Sequence, residues 1–176
     1  METPLEKILA KSYKQEMMAY IASHPNAFEE LIELAIANKQ PYSWRAAWLL
    51  WSCMENNDKR IKKQIPTILE NLDAFKDGHQ RNLINILQKM QIPEEYEGRL
   101  FDSCVNIWED TDKQSSVRFK AFECIVEITK RYPELYNEVA TLTEERYIAP
   151  LSEGIKRSIF KKIKILDQMN AADNNG

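Results

Sequence analysis

Along the chain, apolar side chains recur at three- and four-residue intervals rather than in alternation, which is the signature of amphipathic helices. The first stretch sets the pattern: Leu5, Ile8, Leu9, Ser12, Tyr13, Glu16, Met17, Tyr20 and Ile21 follow Thr3, Pro4 and Glu6. Those three match an N-cap, a first-turn proline and a capping-box acid. The spacing predicts one helix over residues 4–22, or two with a break near Ser12.

Two interleaved series follow. Proline opens "PNAFEEL" at 25, "PTILENL" at 66, "PEEYEGR" at 93 and "PELYNEV" at 133. Three residues on stand Phe28, Leu69, Tyr96 and Tyr136, which reads as the first core contact of four equivalent helices. Arginine then opens a second helix in "WRAAWLLW", "QRNLINIL", "VRFKAFEC" and "KRSIFKKI", with Arg45, Arg81, Arg118 and Arg157 spaced by 36, 37 and 39 residues. Between the helices of each pair lie Gln40-Pro41, Asp77-Gly78, Asp110 to Ser116 and Pro150 to Gly154. Two series with one period define four helix-turn-helix repeats, about residues 25–58, 61–90, 93–130 and 133–167, in a single domain over 1–167. Each repeat is too small to bury its apolar stripes alone, and stacking it on its neighbours supplies the core. The polar residues 168–176 read as a frayed tail.

Proline at the head of the first helix and Val-Arg-x-x-Ala at the head of the second ("VRFKA", 117–121) resemble HEAT repeats over residues 25–167. In "IPEEYEGRLFDSC" and "RYPELYNEV" the chain also resembles small bacterial HEAT-like α-solenoid proteins. The resemblance implies an all-α, right-handed α-α superhelix of about four helical pairs plus one or two N-terminal helices. It implies no reaction. HEAT repeats set an aspartate in the turn against the second-helix arginine as a ladder between neighbours. Asp112, six residues before Arg118, fits that pattern, whereas Lys39, Phe75 and Leu151 stand at the same offset in the other repeats. The period also falls short of the roughly 40 to 47 residues of HEAT and armadillo units, but the tetratricopeptide Trp…Leu-Gly…Tyr pattern is missing.

Composition narrows the function. A chain of 176 residues with 44% hydrophobic side chains fills one core, and a net charge of −3 argues against a phosphate-binding surface. Residues 91–150 are acidic and 151–176 mildly basic. Three cysteines outside any C-x-x-C arrangement and two histidines support neither a disulfide framework nor a zinc site. The charged N-terminus carries no signal-peptide pattern, so a reducing cytoplasm is the expected location. Neither His24 nor His79 has a nucleophile or carboxylate partner in the spacing, no glycine-rich phosphate loop occurs, and no cofactor is implied. The carboxylate clusters at 29–33, 94–97 and 109–112 sit where they favour helix N-termini or solvate the surface.

Counting from each arginine, position +3 holds Trp48, Ile84, Ala121 and Phe160, and position +6 holds Trp51, Leu87, Cys124 and Ile163. All are apolar, so Trp48 and Trp51 are expected in the core. Trp44, whose counterparts are Gln80, Val117 and Lys156, is expected partly exposed. The aligned arginines have two open roles: bonding turn carbonyls or acids of a neighbouring repeat, or presenting bidentate donors to a ligand. The expected function is a non-enzymatic scaffold that binds a protein or peptide on a concave face, with Trp44, Arg45, Arg81, Arg118 and Arg157 as partner contacts. The alternative is nucleic-acid binding or base-excision activity like that of HEAT-like alkylpurine DNA glycosylases, which use tryptophans, an aspartate and basic residues on a concave face. For that reading "DKRIKK" (58–63) and "KRSIFKKIK" (156–164) are the basic stretches, and the bland role of Lys161, Lys162 and Lys164 is a polar cap on the last helix. A structural adaptor or homo-oligomer is the third possibility.

Overall fold

The computed structural model describes residues 1–176 as twelve α-helices and two 3-10 turns, with no strand. They form two compact units, Met1–Pro93 and Glu94–Gly176, whose boundary falls between the second and third repeats.

In the N-terminal unit, α1 (Pro4–Lys11) opens with the expected box: Thr3 Oγ1 accepts from the Glu6 amide and Glu6 Oε2 from the Thr3 amide, both at 3.1 Å. Ser12 and Tyr13 are extended, so α2 (Lys14–Ser23) is a separate helix and the break near Ser12 is real. Next come α3 (Ala27–Ile36) and α4 (Tyr42–Cys53), which form the closest helix pair of the unit. The second repeat begins with a short helix the sequence did not announce, α5 (Lys59–Lys62). Asp58 caps it, accepting from the amides of Glu55 and Arg60 and from the Arg60 guanidinium at 2.6 and 2.9 Å. That guanidinium holds the Asp58 carboxyl down at about 2 and lies 3.4 Å from the centre of the Phe28 ring. "DKRIKK" is thus a capped turn with one arginine already paired. Then follow α6 (Ile65–Asn71), a 3-10 turn at Leu72–Ala74, and α7 (Asp77–Gln88), which starts at the expected Asp77-Gly78 turn rather than after it.

His79 ties α7 to α3. Its buried ring places Nε2 2.6 Å from the Ala35 carbonyl, so Nε2 carries the proton and Nδ1 accepts from Gln40 Nε2 at 3.2 Å. Burial pushes the His79 pKa down. An unfolded histidine therefore takes up a proton that the folded one resists, and stability rises with pH in that interval. Thermal melts between about pH 7 and pH 5 should show a melting temperature that falls on acidification, and His79→Gln should flatten that part of the profile.

In the C-terminal unit, α8 (Glu94–Glu109) packs on α9 (Ser115–Arg131) around Trp108 and Phe122, whose ring centres are 4.6 Å apart. The first helix of the fourth repeat is broken into a 3-10 turn (Pro133–Leu135), α10 (Tyr136–Thr141) and α11 (Glu145–Ile148). Thr141 and Thr143 bond their hydroxyls back to the Glu138 and Ala140 carbonyls, competing with helix continuation there. The last helix, α12, runs Glu153–Asn174. The expected frayed tail is therefore helical almost to its end: Met169 and Asn170 are half-buried, and with Asp173 they border a crevice shared with Thr129 and Pro133. Phe28 and Leu69 are buried as expected of first core contacts, whereas Tyr96 and Tyr136 are half-exposed and Leu100 and Val139 fill that role. The three cysteines are free, and no helix is long and apolar enough to cross a membrane.

Candidate functional site

The four aligned arginines do not share one environment. They stand on four separate helices and differ in burial and in partners. Arg118 is 1% exposed; its Nε donates to the Trp108 carbonyl at 2.9 Å and its Nη2 to the Tyr147 carbonyl at 2.6 Å, with the guanidinium 4.7 Å from the Trp108 ring centre. Trp108 and Tyr147 are each one residue from the end of their helices, where carbonyls have no amide partner within the helix. Arg118 thus closes the C-termini of α8 and α11 together. Asp112 is exposed and takes no part: its amide donates to Asp110 Oδ1 at 3.1 Å. Arg45 acts likewise, donating to the carbonyls of Ala10 at 3.3 Å and Ser12 at 3.0 Å where α1 ends. Positive charge at a helix C-terminus also favours the helix dipole. Arg81 is half-buried in the first turns of α7, and Arg157 is exposed on α12.

The tryptophans of α4 correct the sequence reading. The buried arc of this helix is Ser43, Ala46, Ala47, Leu49 and Leu50, all with no exposed surface. Trp48 and Trp51, expected in the core, are half-exposed, and Trp44 is 43% exposed. Positions 44, 48 and 51 fall within a narrow arc, so three indoles make one stripe on the outer side of α4. The +3 and +6 positions are buried as expected in α7 (Ile84, Leu87) and α9 (Ala121, Cys124). In α12 they are not: Phe160 is 53% exposed and Ile163 half-buried. Of the expected capping lysines there, Lys161 and Lys164 are exposed, while Lys162 is half-buried and reaches Glu123 at 3.4 Å.

The stripe has basic borders. Lys14 of α2 sets its Nζ 5.3 Å from the centre of the Trp48 ring. Lys89, at the end of α7, sets its Nζ 5.3 Å from the Trp51 ring and donates to the Trp51 carbonyl at 2.8 Å. Neither ammonium meets a carboxylate. At the other end Asn82 donates to the Trp44 carbonyl at 3.0 Å, and Arg81 precedes it on α7. Helix α4 contains no acidic residue, and the helices it packs on beside the stripe, α2 and α7, carry one each, Glu16 and Asp77. The sequence named Trp44 and Arg81 as partner contacts, placed Trp48 and Trp51 in the core and did not single out Lys14 or Lys89. The acid-free run 42–53 was the available signal.

Elsewhere the concave features are less organised. A cleft of about 390 Å³ in the C-terminal unit has Phe101, Ile128 and Leu135 among its walls and Glu94, Asp102, Glu134 and Glu138 around them. Glu97, also there, accepts from both Arg131 and the Tyr132 hydroxyl, and it pushes the Tyr132 pKa up. No group of three or more His, Cys, Asp or Glu side chains is placed to hold a metal ion.

Helical pairs repeated along an all-helical chain are the architecture of HEAT repeats, and the HEAT repeat domain family matches residues 1–166. The chain belongs to that family. No curated protein and no solved structure matches it significantly. HEAT repeats are of the protein-interaction scaffold type. Within this HEAT repeat chain the arginines at α4 and α9 serve the scaffold, and the indole stripe keeps part of its apolar surface uncovered.

Proposed function

We propose that this HEAT repeat chain is a non-enzymatic module that binds a protein or peptide through the Trp44–Trp48–Trp51 stripe of α4, with Arg81 at one end. The observation that carries the reading is the orientation of α4. The fold buries its alanines and leucines and turns three large aromatic side chains outward. Covering the surface that Trp44, Trp48 and Trp51 still expose, at roughly 25 cal/mol per Å² of apolar area, is a gain that a partner can supply. Tryptophan and arginine are also the residues on which interface energy concentrates. Arg45 and Arg118 contribute indirectly, by holding helix ends in place.

The test is affinity capture from a native cytoplasmic extract with the wild-type chain and with a Trp44→Ala/Trp48→Ala variant, followed by identification of what is held. Trp44 is 43% exposed and Trp48 part-buried, so a thermal melt first establishes that the variant is folded. A protein retained by the wild type and lost from the variant supports the reading. Retention that the substitutions leave unchanged overturns it.

A further inference from the structure

Resting on that reading, we infer that the partner presents an acidic amphipathic helix: an apolar ridge against the three indoles, with carboxylates on both sides of it. The indoles span about 10 Å along α4, two turns of an opposing helix, which suits the pairing of an apolar ridge with a helix face. The sign of the flanks follows from charge complementarity. Lys14 comes from α2 and Lys89 from the end of α7, so the stripe has an ammonium on two different neighbouring helices. Neither forms a salt bridge with a carboxylate of this chain, unlike Lys39 with Glu6, Lys120 with Glu123, Lys130 with Glu127 and Lys156 with Glu153. An apolar helix with basic flanks would meet two uncompensated like charges here, and one with acidic flanks would satisfy them.

A single-stranded nucleic acid fits less well. Stacked bases bring a phosphate with every nucleotide, each favouring a nearby cation, and two ammoniums flank the stripe. A polyanion also requires a continuous basic track, and Arg45 is already committed to the carbonyls of Ala10 and Ser12.

The experiment titrates the full chain with three fluorescent probes: a helical leucine–glutamate amphipathic peptide, its leucine–lysine counterpart, and a single-stranded oligothymidylate. The glutamate peptide should bind the wild type, more weakly as salt rises, and the lysine peptide should bind at least about tenfold less tightly. Lys14→Glu/Lys89→Glu should reverse that order. Should Lys89→Glu disturb the fold through the lost bond to Trp51, Lys14→Glu alone, on an exposed side chain, should still lower the affinity for the glutamate peptide. Equal binding of the two peptides, an affinity indifferent to the charge reversal, or tighter binding of the oligothymidylate would overturn the inference. Loss of the captured protein on Trp44→Ala/Trp48→Ala together with no preference for the glutamate peptide would leave the docking surface standing and remove only its acidic partner.

Discussion

Arg118→Ala is expected to destabilise the protein by about 3–5 kcal/mol, because each of two buried carbonyls left without a donor costs about 1–3 kcal/mol and the empty space adds to it. The carbonyls are those of Trp108 and Tyr147, and both sit where helices end. Thermal or urea unfolding measures the loss, which for a chain of this size is a fall of roughly 8–15 °C in melting temperature. Arg118→Lys discriminates the mechanism. An ammonium is a single point donor and cannot span two carbonyls held by a planar fork, so lysine should recover only a minor part of the stability. A lysine variant as stable as wild type would mean that charge, and not the two-carbonyl bridge, is what this position supplies. Amide hydrogen exchange adds a local reading: protection should fall in the last turn of α8 and in α11 before it falls elsewhere in the C-terminal unit.

Trp108→Ala should be comparably severe, at about 3–5 kcal/mol, since the side chain has no exposed surface and its removal leaves a cavity beside Phe122. Its indole Nε1 also donates to the Leu142 carbonyl at 2.8 Å, where α10 ends. Trp108→Phe keeps much of the packing and loses that bond, so its cost should be smaller, about 1–2 kcal/mol. Arg118 stacks on Trp108, and the double variant should therefore cost less than the two single losses combined. Strict additivity in urea unfolding would show that the two side chains act separately. Trp108→Phe has a further use: the remaining tryptophans are Trp44, Trp48 and Trp51, so intrinsic fluorescence then reports the stripe alone.

The recurring arginine was visible in the sequence, and of its two open roles the structure gives Arg45 and Arg118 the first, bonding carbonyls at helix ends. The reason they looked alike is that a repeat preserves position along the chain more faithfully than angle around a helix. One residue of slippage changes the spacing by a few per cent and the direction of the side chain by about 100°. Arg118 points into the core and Arg157 out of it, although both head a second helix of their repeats. The same effect misplaced Trp48 and Trp51. In "RAAWLLW" every side of the helix is apolar, so hydrophobic periodicity offers no phase. What sets the phase is size: Ala46 and Ala47, fully buried, let α4 lie close to the helices around it, as bulky indoles at the contact would not.

The sequence by itself determined that the chain is all-helical, where its capping box and prolines start helices, and that it belongs among repeats of the HEAT kind. Those properties follow from local chemistry and from periodicity, which need no knowledge of neighbours. Only the tertiary structure decided that the first helix is two, with Arg45 closing the first at Ser12, and that the last extends to Asn174. It also decided that the indoles of α4 face outward between the ammoniums of Lys14 and Lys89. Lys14 and Lys89 are separated from the stripe by about thirty residues and more, and only packing brings such distant positions together; the spacing of residues within one helix carries no record of it.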